Sequence, residues 1–63
     1  MTENTLSAYR IEAPHFVAGI KTETRSGVEA VTVAAPIVRW MIGKPMDHIV
    51  RYVLGKGWKI NGD

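Results

Sequence analysis

Proline and glycine punctuate the second half of this 63-residue chain at spacings that leave room for little except two short helical segments. Pro36 suits the first turn of a helix, where its missing N–H is not needed, and Gly43 suits the stop, where φ can turn positive. The segment between them has barely two turns, and its Ile37, Trp40 and Met41 share a face at i, i+3, i+4. Lys44-Pro45 restarts the pattern with a second proline at a first helical position. Met46, Ile49, Val50, Val53 and Leu54 then follow at i, i+3, i+4, i+7, i+8, the strongest periodic signal in the chain. Gly55 and Gly57 end that helix, and Trp58-Lys59-Ile60 alternates like a short strand able to join a sheet.

The first half reads in the strand period. Residues 1–7 are polar and patternless, which predicts a mobile tail. Tyr9-Arg10-Ile11-Glu12 alternates briefly before Ala13-Pro14 stops it, as an edge strand or a lead-in would. His15 to Glu23 and Val28 to Ala35 form a hairpin around Thr24-Arg25-Ser26-Gly27, whose Ser-Gly end supplies the left-handed position of a tight turn. A four-residue loop pairs Glu23 with Val28 and sets Ile20 opposite Val31, Ala18 opposite Val33 and Phe16 opposite Ala35. One face is then apolar, and a buried face selects such a register. The other face, with Val17, Gly19, Lys21, Glu23, Ala30, Thr32 and Ala34, is small or polar and fits solvent or a shallow contact. The architecture that accommodates these pieces is a single small α+β domain over residues 8–63. It has an antiparallel β-hairpin, two short helices meeting at Gly43 and a short C-terminal strand. Met46, Ile49, Val50, Val53 and Leu54 are expected to cover Phe16, Ala18, Ile20, Val31 and Val33.

Composition narrows the function classes. With 46% hydrophobic and 22% charged residues the chain is globular rather than disordered. At this length it buries only about 60% of the surface its unfolded form exposes. It has no cysteine, so no disulfide or thiolate metal site can brace the thin core, and self-association becomes the economical support. A homodimer is expected, burying Val17 or an exposed tryptophan across a two-fold axis. No stretch approaches the ~20 apolar residues of a membrane span, and Met1-Thr2-Glu3-Asn4-Thr5 lacks the basic start and apolar run of a signal peptide, so the expected location is the cytoplasm.

Catalytic and metal chemistry find little footing. His15 and His48 lie in different segments with no cysteine beside them, whereas structural zinc sites show ligands clustered at local spacings. No metal and no cofactor are expected. Ser7 and Ser26 have no patterned base, the six acids are scattered, and Gly55-Lys56-Gly57 follows a helix rather than preceding one as a phosphate cradle would. A non-enzymatic protein is therefore expected.

Charge and aromatic content locate the surface that would act. Residues 1–35 carry three cations against four carboxylates, a net −1, while residues 36–63 carry five cations against two, a net +3. Arg39, Lys44, Arg51, Lys56 and Lys59 interleave with Trp40, Tyr52 and Trp58, a mixture that suits protein hot spots and nucleic-acid stacking alike. Arg51 and Tyr52 fall off the apolar helix stripe, and His48 lies on its polar side. The candidate partner-binding set is Arg39, Lys44, His48, Arg51, Tyr52, Lys56 and Lys59, with Lys21 extending it if the hairpin edge lies alongside. Trp40 and Trp58 stay open between core and interface.

The run His15-Phe16-Val17-Ala18-Gly19, followed by Ala35-Pro36-Ile37-Val38-Arg39-Trp40, Gly43-Lys44-Pro45 and Lys56-Gly57-Trp58, resembles small proteins of unassigned activity encoded by bacteriophages and prophages. The resemblance covers about residues 15–60 and carries no site residues. It implies a setting inside a host cell, where compact phage accessory proteins commonly act stoichiometrically on host machinery, and anti-CRISPR proteins are the best-defined class among them. The leading expectation is thus a phage-encoded inhibitor of a host protein or ribonucleoprotein complex, for example an anti-CRISPR. The alternative is a small nucleic-acid-binding protein using the basic and aromatic second half.

Overall fold

Two consecutive left-handed residues, Ser26 at φ 54° and Gly27 at φ 80°, close the central hairpin as a two-residue loop. Positive φ at both corners gives a turn whose twist matches that of the flanking strands, so pairing runs up to Arg25 opposite Val28. The computed structural model describes residues 5–62, in which strands β1 (Thr5–Ala13), β2 (Phe16–Arg25), β3 (Val28–Ala34) and β4 (Lys59–Gly62) form one antiparallel sheet in the order β3-β2-β1-β4. A 3₁₀ helix (Pro36–Met41) and helix α1 (Met46–Gly55) connect β3 to β4. This is the small α+β domain that the sequence predicts, with a larger sheet.

The tight turn corrects the expected register. Thr22, not Ile20, lies opposite Val31. A bulge between Lys21 and Thr22 then absorbs Thr32, so Lys21 faces Val33 and Ile20 faces Ala34. One extra residue reverses the alternation. Val31 is buried, but Val33, expected in the core, is 54% exposed on the opposite face. Pro14-His15 makes a second two-residue turn, where the fixed φ of proline suits the first corner. Consequently β1 is neither an edge strand nor a lead-in. It is interior, paired with β2 from Thr5 opposite Thr24 to Ala13 opposite Phe16, and with β4 from Tyr9 to Glu12. Thr5, Leu6 and Ser7, expected in a mobile tail, are strand residues; residues 1–4 lie outside the described part.

The helical connection packs on one face of the sheet. Bonds from Val38 N–H to the Ala35 carbonyl (2.9 Å) and from Ile42 N–H to that of Arg39 (3.1 Å) span three residues. The two turns, kinked at Val38 (φ −121°), set Val38 and Met41 toward the core and turn Ile37 and Trp40 outward, so the α-helical grouping of Ile37, Trp40 and Met41 does not form. Gly43, at φ 86°, donates its N–H to the Val31 carbonyl (2.8 Å), and Val31 donates to the Lys44 carbonyl (3.1 Å). Pro45 caps α1 from just outside it rather than occupying its first turn, and Asp47 in that turn favours the positive end of the helix dipole. Met46, Ile49 and Val53 are buried, Val50 is half-buried, and Leu54 is 61% exposed because only one border of the apolar stripe meets the sheet. The core is Ile11, Ala18, Ile20 and Val31 from the sheet, Val38 and Met41 from the 3₁₀ helix, and the α1 trio.

Beyond the end of this core the inner face turns polar. Thr22 is buried, and its hydroxyl donates to Glu29 Oε2 (2.6 Å), which also accepts from the Tyr9 hydroxyl (2.8 Å). The hydrogen bond to Glu29, burial and the carboxylate's negative charge, in that order, raise the Tyr9 pKa above its ordinary 10.0.

Two outcomes are expected. A raised phenol pKa contributes stability that is present below pH 10.0 and lost as pH climbs through the folded value. Urea melts of wild type and Tyr9→Phe are therefore expected to differ by about 1 kcal/mol at neutral pH and to converge in strong alkali. Ile49→Ala removes a fully buried side chain. It is expected to cost about 2–5 kcal/mol, much of the roughly 3–9 kcal/mol available to a chain of this size, leaving a broad, lowered thermal transition by circular dichroism.

Candidate functional site

Four aromatic rings form a continuous edge-to-face chain from the core to the surface. Phe16 on β2 meets Trp58 at 5.3 Å between centroids and 80°, Trp58 meets Tyr52 at 5.8 Å and 74°, and Tyr52 meets Trp40 at 4.7 Å and 68°. These separations and angles are the favourable geometry for aromatic quadrupoles. Trp58 and Tyr52 are half-buried, whereas Trp40 ends the chain 42% exposed. Trp58 closes the core and Trp40 faces outward, so the two tryptophans divide between the roles left open by the sequence.

The end of α1 fixes the inner part of this chain. Gly57 at φ 78° lets its own N–H reach the Leu54 carbonyl (3.0 Å) while the Trp58 N–H reaches that of Val53 (3.0 Å). This pair of reversed bonds is the Schellman closure of a helix, and it brings the residue after glycine back against the last turn. Trp58 is thereby held against the apolar core and Tyr52. Lys56 places its Nζ 5.5 Å from the Tyr52 ring centroid, within cation–π range.

The seven candidate partner-binding residues do not form one patch. His48 and Tyr52 on α1 and Lys56 just past its end recur every four residues and make one strip. Tyr52 in that strip touches Trp40, beside which Arg39 is exposed on the 3₁₀ helix. Arg51 is exposed one position round the helix, with Nη2 3.7 Å from Asp47 Oδ2 in a solvent-facing pair that contributes little. Lys44 is exposed, its backbone carbonyl tied to the β3 edge. Lys59 lies opposite Glu12 on the sheet face away from α1, as does Lys21, so neither extends the helical surface. Ile37 belongs with Trp40 at the surface, 58% exposed, and not on one face with the buried Met41 as the α-helical spacing predicts. Recognising the three-residue period from Pro36 onward would have found it.

His15 is exposed in the β1–β2 turn and His48 on α1. Among the described residues no three of the His, Asp and Glu side chains come together as a metal ion would need. No helix of the described residues is long and apolar enough to cross a membrane. Comparison with protein-family models, curated proteins and solved structures yields no match.

The closure at Gly57 supplies a direct check on how the aromatic chain is held. A Cβ there meets no neighbouring atom, so Gly57→Ala introduces only the backbone strain of a positive φ. It is expected to cost about 1 kcal/mol in a chemical melt and to weaken the near-ultraviolet circular dichroism of the coupled aromatic chain.

Proposed function

We propose that this protein is a non-enzymatic binding module that docks on a protein partner through the ledge formed by Ile37, Arg39, Trp40, Tyr52 and Lys56. The observation that carries the reading is Trp40: a large aromatic ring, 42% exposed, yet held edge-on by Tyr52 and backed by rings that reach the core. An aromatic anchor fixed before binding loses little side-chain freedom on association, and Trp, Tyr and Arg are the residue types that dominate binding hot spots. Arg39 and Lys56 supply a cationic rim for an acidic partner surface. With the resemblance to phage-encoded proteins, the reading extends to an inhibitor that acts in the host cytoplasm on a host protein or ribonucleoprotein complex.

The nucleic-acid reading draws on the same exposed ring and cations, which would suit base stacking with phosphate contacts. It is the less supported, because Lys59 lies on the far face of the sheet and the remaining cations do not form one track along which a backbone could run.

Affinity capture from host lysate is expected to recover a specific protein with wild type and to lose it with Trp40→Ala, which gives up the Tyr52 contact and lowers the thermal melt slightly, and with Arg39→Glu, at an exposed position where the melt is expected to stay close to that of wild type. Failure of the wild type in capture and in a phage-restriction assay would remove the proposal. In anisotropy titrations, short single-stranded and duplex DNA and RNA are expected not to bind at physiological salt. Tight binding that weakens steeply as salt rises would favour the alternative.

A further inference from the structure

The sheet face away from the helices carries a groove of about 700 Å³, and Leu6, Ala8, Lys21, Thr32 and Val33 are among the residues that line it. Leu6 is 74% and Val33 54% exposed. Val33 reaches this face only because the bulge at Thr32 reverses the strand's alternation; an uninterrupted ladder would turn it into the core. The bulge thus adds a large apolar side chain to the face that already carries Leu6.

The arrangement of side chains on that face specifies what covers it. Two adjacent levels run across the three strands: Leu6, Glu23 and Ala30 lie side by side at one, and Ala8, Lys21 and Val33 at the next. Each strand therefore carries a complementary pair. On β1 it is a large and a small apolar residue, on β2 an anion and a cation, on β3 a small and a large apolar residue. A two-fold axis parallel to the face and perpendicular to the strands, at the level of Thr22, lays each strand over its own copy and exchanges the levels. Leu6 then stands over the partner's Ala8, Lys21 over the partner's Glu23 and Val33 over the partner's Ala30. Large side chains meet small ones and opposite charges meet within an apolar surround, as packing and isologous symmetry require.

We infer that this face is the interface of a two-fold homodimer in which two sheets pack face to face. Glu23 already accepts from Arg25 on its own chain, so the arriving Lys21 completes a three-charge row. Dissociation is expected in the micromolar range. It lies across the sheet from the Trp40 ledge, so the two surfaces stand or fall separately.

Sedimentation equilibrium from about 1 μM to 1 mM tests it. Wild type is expected to pass from monomer to dimer across that range. Lys21→Glu and Glu23→Lys, each setting like charges face to face twice per dimer, are expected to weaken association about tenfold or more. The double exchange K21E/E23K is expected to restore it, which loss of the Arg25 contact alone could not do. Val33→Asp, at an exposed position, is expected to leave only monomer. A monomer at every concentration, single reversals that dimerise like wild type, or a double variant that fails to recover would each overturn the proposal.

Discussion

Two backbone hydrogen bonds at Val31 hold the rest of this structure in place. Its N–H donates to the Lys44 carbonyl and its carbonyl accepts from the Gly43 N–H, so the connection between the helices is docked as a short extra strand on β3. An isolated bridge between Ala30 and Pro45 extends the contact. A sheet edge is ordinarily an invitation to another strand, and here the chain closes it with its own backbone and a proline that cannot donate. Because the connection is anchored there, the 3₁₀ helix ends before Gly43 and α1 starts beside β3, which sets Ile49 and Val53 over the buried face.

That anchoring also explains what could be read in advance. Pro36, Gly43, Pro45 and Gly57 announce where helices begin and end, because each residue type acts through its own backbone. Met46, Ile49 and Val53 announce the buried edge of α1 through their spacing. Register is a different kind of information. The choice between a four-residue loop and a two-residue loop at Ser26-Gly27 turns on a serine adopting a positive φ, and the bulge at Thr32 depends on how β3 meets the docked connection, both settled by tertiary contacts. The interior position of β1 was hidden for a related reason. Arg10 and Glu12 alternate with buried or half-buried Tyr9 and Ile11, a pattern equally suited to an edge, and only the pairing with β4 decides it.

The candidate ledge was legible in composition but not in placement. Tyr52 and Lys56 could be found because they fall off the apolar stripe of α1, and Arg39 because it is charged. Sequence leaves Trp40 open between core and interface and does not single out Ile37, because an α-helical period groups both with Met41 whereas the observed turns face them away from it. Charge groups Lys59 with Lys56, and the strand that follows the turn at Gly57 sets it on the other face of the sheet.

The pairing of β1 with β4 governs how the chain reaches this state. Glu12 and Asn61, joined by a 2.7 Å hydrogen bond, are 49 residues apart, whereas both hairpins close over two-residue turns. Loop-closure entropy grows with separation, so the three-stranded meander can assemble from local contacts well before β4 finds its place. Until then one side of Ile11 lacks its neighbour Ile60 and the sheet has a second open margin. β4 thus closes the longest loop of the sheet, and a meander without it leaves the β1 margin open to another chain.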